Sequence, residues 1–106
     1  MSELIKVRTT IDSREGAQRI AEMLVSQRLA ACVQISGPIA STYWWQGKIE
    51  QAEEWLCTAK TRQELFEALV DAVKEIHPYE VPEILALPIL AGNPDYLAWI
   101  ERETKR

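Results

Sequence analysis

The run His77-Pro78-Tyr79-Glu80-Val81-Pro82-Glu83 gathers the chain's one histidine, two of its five prolines and two carboxylates beside a tyrosine. Imidazole titrates across neutral pH and is the commonest metal ligand, while carboxylates supply oxygen ligands or proton acceptors. Proline fixes its own φ and drives the preceding residue out of helical geometry, so His77 is expected to end a helix and Val81 to be extended. The imidazole is then presented on a stiff, displayed loop. His77 and Glu80 form the candidate metal pair, with Glu83 as a further oxygen donor. A structural role is the alternative, because a histidine at a helix C-terminus interacts favourably with the macrodipole and can donate to a free carbonyl.

A second grouping suits a small polar or anionic ligand. Lys60, expected at the end of a strand, supplies a point charge, Tyr79 and Trp45 offer hydrogen bonding and stacking, and Glu83 lies on the same loop as Tyr79. A solvated lysine ahead of a helix start is the bland reading of Lys60. Catalysis has little support. No nucleophile is flanked by a base, and Gly16, Gly37, Gly47 and Gly92 form no phosphate-binding pattern. The segment Thr9-Thr10-Ile11-Asp12-Ser13-Arg14 likewise lacks a glycine-rich nest. We therefore expect a protein that is not an enzyme. Glu50, Glu53 and Glu54 read first as a solvated acidic face.

These residues need elements to hold them. Residues 4–11 alternate around Ile5, Val7, Thr9 and Ile11 and predict a strand. Asp12 and Glu15 have capping-box spacing, and Ala17, Ile20, Ala21, Leu24, Val25 and Leu29 recur on one helical face, so a helix is expected over 13–29. Residues 31–45 predict a strand interrupted by Gly37-Pro38, hence bulged and at an edge. Gln46-Gly47 turns the chain into a third strand over 48–60, whose first half reads equally well as helical. Thr61 and Glu64 suggest another capping box, before a helix carrying Leu65, Phe66, Leu69, Val70, Val73 and Ile76. A fourth strand is expected over 84–90, kept to an edge by Pro88, and Asn93-Pro94 opens a short third helix. The order β-α-β-β-α-β predicts a ferredoxin-like α+β fold with sheet order 4-1-3-2, a long β2-β3 hairpin and an extra C-terminal helix. Pro38 and Pro88 fall on the two strands that this order makes edges.

The 106 residues, 47% of them hydrophobic, fit one domain over 1–106. No apolar run approaches the ~20 residues that a bilayer crossing needs, so no membrane partner is expected. A net charge of −4 with scattered basic residues argues against nucleic acid. Only the tail from Arg102 to Arg106 is locally basic. The run Met1-Ser2-Glu3-Leu4-Ile5-Lys6 lacks a signal-peptide pattern, which makes the cytoplasm the expected address. Cys32 and Cys57 have no metal-type spacing. Mirror pairing about Gln46-Gly47 puts residue 36 opposite Cys57 and residue 61 opposite Cys32, about four residues out of register and too far for a disulfide.

Strands of 13 to 15 residues span about 45 Å, whereas a 16-residue helix covers about 24 Å. The hairpin must overhang its helices, carrying Tyr43, Trp44 and Trp45 at its distal end and Trp55 nearer its middle. Such aromatic surface is expected to dock into a neighbouring copy of the chain, with clefts arising between subunits.

Five blocks carry a resemblance: Arg28-Leu29-Ala30-Ala31-Cys32-Val33; Tyr43-Trp44-Trp45-Gln46-Gly47-Lys48-Ile49-Glu50; Lys60-Thr61; His77-Pro78-Tyr79-Glu80-Val81-Pro82-Glu83-Ile84; and Gly92-Asn93-Pro94-Asp95-Tyr96-Leu97-Ala98-Trp99. In this order and spacing the chain resembles the CutA family of divalent-cation tolerance proteins over essentially its whole length. The resemblance implies a homotrimer of ferredoxin-like subunits, PII-like in architecture, and a role in the response to copper and other divalent cations. It implies Cu(II) or another divalent cation as ligand, not needed for folding. The family's suggested copper site pairs a strand-one cysteine with two adjacent histidines. Only His77 carries over here, since Ile76 stands where the first histidine would be and Arg8 where the cysteine would be. A guanidinium there repels a cation and removes a soft ligand. A PII-like regulatory trimer, binding a small polar ligand in intersubunit clefts, is the alternative.

Overall fold

The structure, a computed structural model, describes residues 3–105; Met1, Ser2 and Arg106, at the ends of the expected domain, lie outside the described residues. Strand β1 (Leu4–Ile11) leads into helix α1 (Arg14–Ser26), then the hairpin strands β2 (Cys32–Trp45) and β3 (Lys48–Arg62). A 3-10 turn at Gln63–Leu65 opens helix α2 (Phe66–Ile76), followed by β4 (Ile84–Pro88) and α3 (Pro94–Glu103). The four strands form one antiparallel sheet in the order β2-β3-β1-β4. This is the expected α+β arrangement, with β2 and β4 at the edges.

Period-two alternation decides what each sheet face does. Ile5, Val7 and Ile11 of β1, with Cys57 and Ala59 of β3, pack under Ala17, Ile20 and Leu24 of α1 and Leu69 and Val73 of α2. The opposite face, carrying Lys6, Arg8, Lys60 and Arg62 by register, is covered at one end by α3. Arg62 is buried there and donates from Nε to Thr104 Oγ1 at 2.8 Å. Leu85, Leu87 and Leu90 stay exposed.

Local chemistry moves several expected boundaries. Ser13, not Asp12, caps α1, its hydroxyl accepting from Gly16 N–H at 3.0 Å. That helix stops at Ser26 because Arg28 turns left-handed (φ 58°) and the amides of Leu29 and Ala30 fold back onto the Leu24 carbonyl. Thr61 makes no cap: β3 continues through Arg62, ladder pairing with Leu4 outweighing the capping option, and no side chain caps the following turn. The first half of β3 is strand, not helix. β4 ends at Pro88, short of the expected 84–90.

The hairpin turns at Gln46 (φ 51°) and Gly47 (φ 79°), both left-handed as a type I′ turn requires. Pairing is symmetric from Trp45↔Lys48 to Ile39↔Glu54, then shifts across Gly37-Pro38 to Ser36↔Leu56. The bulge leaves two residues of β2 against one of β3, so Cys57 faces Ile35 and Cys32 faces Lys60. The cysteines are thus three residues out of register, not four, and both are free. Gly37 is required at the bulge, since a Cβ there would meet the Trp55 ring at 2.8 Å. The hairpin stretches the chain to 44 × 25 × 21 Å. Its end leaves Trp44 72% and Ile49 62% exposed, with Tyr43 and Trp45 beside them.

Candidate functional site: an acidic, aromatic-walled cleft

Pro78 holds His77 in extended geometry (ψ 132°) at the end of α2, as expected. The imidazole is not displayed, however. It is 9% exposed, drawn in because both ring nitrogens have partners inside the chain. Tyr79 N–H donates to Nδ1 at 3.1 Å, which leaves the ring proton on Nε2 to donate to the Thr10 carbonyl at 2.8 Å. His77 therefore ties the loop after α2 to the end of β1, and neither nitrogen is left for a metal in this arrangement. Its ring also meets Tyr79 edge-on, centroids 4.7 Å apart.

Tyr79 is thereby aimed across the sheet, and its hydroxyl donates to Glu54 Oε2 at 2.6 Å. Burial, and then the Glu54 carboxylate, push the phenol well above the ordinary tyrosine range. Glu54 is itself only 6% exposed, which corrects its reading as part of a solvated face. The signal was present in the alternation: Ala52 and Leu56 flank it on its own face of β3. Its second oxygen keeps no hydrogen bond among the described residues.

Around this pair opens a cleft of about 870 Å³ between the base of the loop and the distal half of the hairpin. Tyr43, Trp44 and Trp45 form one wall, and Tyr79, Glu80, Val81 and Glu83 the other. Thr10, Asp12, Ala52 and Glu54 lie between them, with Ser41 and Thr42 nearby. Four carboxylates thus line the cleft, and no lysine, arginine or histidine does. Glu83 is partly offset by Arg8, whose Nε lies 3.3 Å from Oε2.

Of the residues proposed from sequence, Tyr79, Trp45, Glu80 and Glu83 come together here, and His77 supports them from behind. Lys60 does not join them. It sits on the α3 side, donating to Gln34 Oε1 at 3.0 Å and Tyr96 Oη at 3.3 Å. Trp55 packs against the chain's own core, whereas Tyr43, Trp44 and Trp45 remain open at the hairpin end. Asp12, Thr10 and Glu54 were missed as site residues because contacts of long sequence separation bring them in. No group of three His, Cys, Asp or Glu among the described residues is arranged to hold a metal ion.

Comparison with known proteins agrees with the fold. The family model described as CutA1 divalent ion tolerance protein matches residues 5–103. The chain is 45% identical to the divalent-cation tolerance protein CutA of Thermus thermophilus, over 98% of this chain and 99% of that protein. It is also 45% identical to the chloroplastic protein CutA 1 of Oryza sativa subsp. japonica, over 95% of this chain but 57% of that longer relative. The crystal structure of CutA1 from Oryza sativa superposes with a TM-score of 0.95 at 43% identity, covering 98% of this chain and 95% of that one. The chain belongs to the CutA1 divalent ion tolerance protein family.

Proposed function

We propose that this chain serves divalent-cation tolerance as a homotrimer, working by binding rather than by catalysis, with the acidic cleft as its binding site. The exposed hairpin end carries this reading. Trp44 at 72% and Ile49 at 62% exposure, with Tyr43 and Trp45, form an apolar patch that burial against another copy would remove from water. Leu85 and Leu87, exposed on edge strand β4, extend the surface available to that contact. Assembly would wall in the clefts beside the hairpins and leave Asp12, Glu54, Glu80 and Glu83 as the groups that attract cations.

A divalent ion would be drawn towards the cleft by the summed charge of these separated carboxylates, which among the described residues are not arranged as a set of direct ligands, and would not be ligated by His77, whose ring is engaged with Thr10 and Tyr79. The free cysteines fit the reducing cytoplasm. A second reading, a PII-like regulatory trimer holding a small polar ligand, is favoured by the size of the cleft and by its aromatic walls.

Complementation tests the proposal. In cells lacking their own member of the family and challenged with copper, the chain should restore growth and Trp44→Glu, which puts a charge into the contact, should not. Equal growth with and without the chain would contradict the proposal.

A further inference from the structure

We propose that α3 is a strap. It lifts from the sheet as one unit while the rest of the fold stays closed, and in lifting it uncovers a row of basic side chains. The inference uses neither the cleft nor the association of copies.

The hold on α3 is local and mostly polar. The hydrophobic core lies between the two other helices and the opposite face of the sheet, and no residue of α3 belongs to it. Within the helix only Ile100 is buried. The remaining attachments are hydrogen bonds and ion pairs at its ends. Arg28 Nη1 donates to Glu103 Oε1 at 2.9 Å and to the Glu103 carbonyl at 3.2 Å, and the Lys105 amide donates to the Arg28 carbonyl at 2.7 Å. Near the other end Lys60 donates to Tyr96 Oη at 3.3 Å. The Arg28 side chain is 62% exposed, so its pair with Glu103 is weak and open to screening by salt.

Arg62 is the clasp, and it supplies an independent observation. Its side chain is 5% exposed, Nε is bonded to Thr104 Oγ1, and Nη1 donates to Glu64 Oε2 at 2.9 Å with Glu101 Oε1 at 3.9 Å. Nη2 is buried without a hydrogen-bond partner. A buried guanidinium donor left unserved costs free energy that water returns, so the docked state carries a penalty that lifting relieves. Register puts Lys6 opposite Lys60 and Leu4 opposite Arg62, so the three basic residues share this face. Lifting α3 withdraws Glu101, Glu103 and Tyr96 and leaves Lys6, Lys60 and Arg62 open to solvent.

Hydrogen exchange of the full chain, in its native state of assembly and read by mass spectrometry, tests this. A ten-residue helix is marginal alone in water, so lifting breaks its hydrogen bonds and exposes its amides. Peptides from α3 should exchange at least about tenfold faster than those of β1 and β3, both halves of the helix alike. Molar salt should widen the gap, because the pairs at Arg28 and Arg62 are screened. Thr104→Val removes the oxygen to which Arg62 donates and should speed α3 about tenfold further, leaving β1 and β3 unchanged. The same variant should speed acetylation of Lys60 relative to Lys48 at the hairpin turn. Exchange of α3 at the rate of β1 would overturn the strap, as would a gradient running in from its C-terminal end, which is fraying. Equal acceleration of α3 and β1 by Thr104→Val, or no effect of salt, would do the same. Unchanged Lys60 acetylation beside faster α3 exchange would contradict the uncovering.

Discussion

Tyr79 Oη donates to Glu54 Oε2 at 2.6 Å, joining the loop after α2 to β3 and setting the floor of the cleft. The bond fixes the rim residues Glu80 and Val81 relative to the hairpin.

Removing that hydroxyl should therefore be felt as stability. Tyr79→Phe leaves a buried carboxylate without its donor and is expected to cost about 1.5 to 3 kcal/mol at neutral pH, measured by urea unfolding. The pH dependence has a definite sign. The folded chain holds the phenolic proton more tightly than the unfolded one, so the stabilisation is complete below the ordinary value of 10.0 and declines as pH rises towards the raised native value. Above pH 10 the wild-type protein should lose stability more steeply than Tyr79→Phe. Parallel curves would show that the bond contributes nothing.

The His77 ring spans Thr10 and Tyr79, and its substitution should loosen the loop without touching metal affinity. His77→Ala is expected to cost about 1 to 3 kcal/mol for the two hydrogen bonds and the buried volume. Cu(II) titration should give wild-type stoichiometry and affinity for this variant. A large loss of copper binding in a variant that remains folded would return the imidazole to the metal site.

The thiols should separate by environment. Burial pushes the Cys57 thiol up to about 11, and its side chain lies in the core against the Ala17 carbonyl. Iodoacetamide should therefore leave Cys57 unmodified in the folded protein and alkylate it only on unfolding, whereas the half-buried Cys32 reacts first. Mass mapping of the labelled peptides reads this directly. Faster labelling of Cys57 than of Cys32 would contradict the packing.

The architecture was legible because its signals are local and periodic. Alternation in β1, the helical stripe of α2, Asn93-Pro94 at the start of α3 and the prolines of the edge strands all mean in the fold what they mean in the sequence. The errors arose where two local options compete. Ser13 and Asp12 could each cap α1, and the cap is the Ser13 hydroxyl, which accepts from Gly16 N–H; Thr61 could cap a helix or extend a ladder, and pairing with β1 decided for the ladder. The site was legible only in part. Tyr79, Trp45, Glu80 and Glu83 could be named from their loop and hairpin, but Glu54 and Asp12 join them through contacts that no short window contains. His77 was misjudged as displayed because its acceptor, the Thr10 carbonyl, lies 67 residues away.

At the hairpin end, Trp44→Glu should break the association of copies while leaving the chain's own core intact, because Trp44 is 72% exposed and contributes little to that core. Circular dichroism should show wild-type secondary structure in a species of lower mass. Loss of folded signal instead would mean that the hairpin end supports the single chain.

Sedimentation equilibrium of the wild-type chain at micromolar concentration is the most direct measurement of the whole account. It should return three times the 12.1 kDa chain mass. A stable, folded species of a single chain mass would contradict the homotrimer and the shared clefts drawn from it.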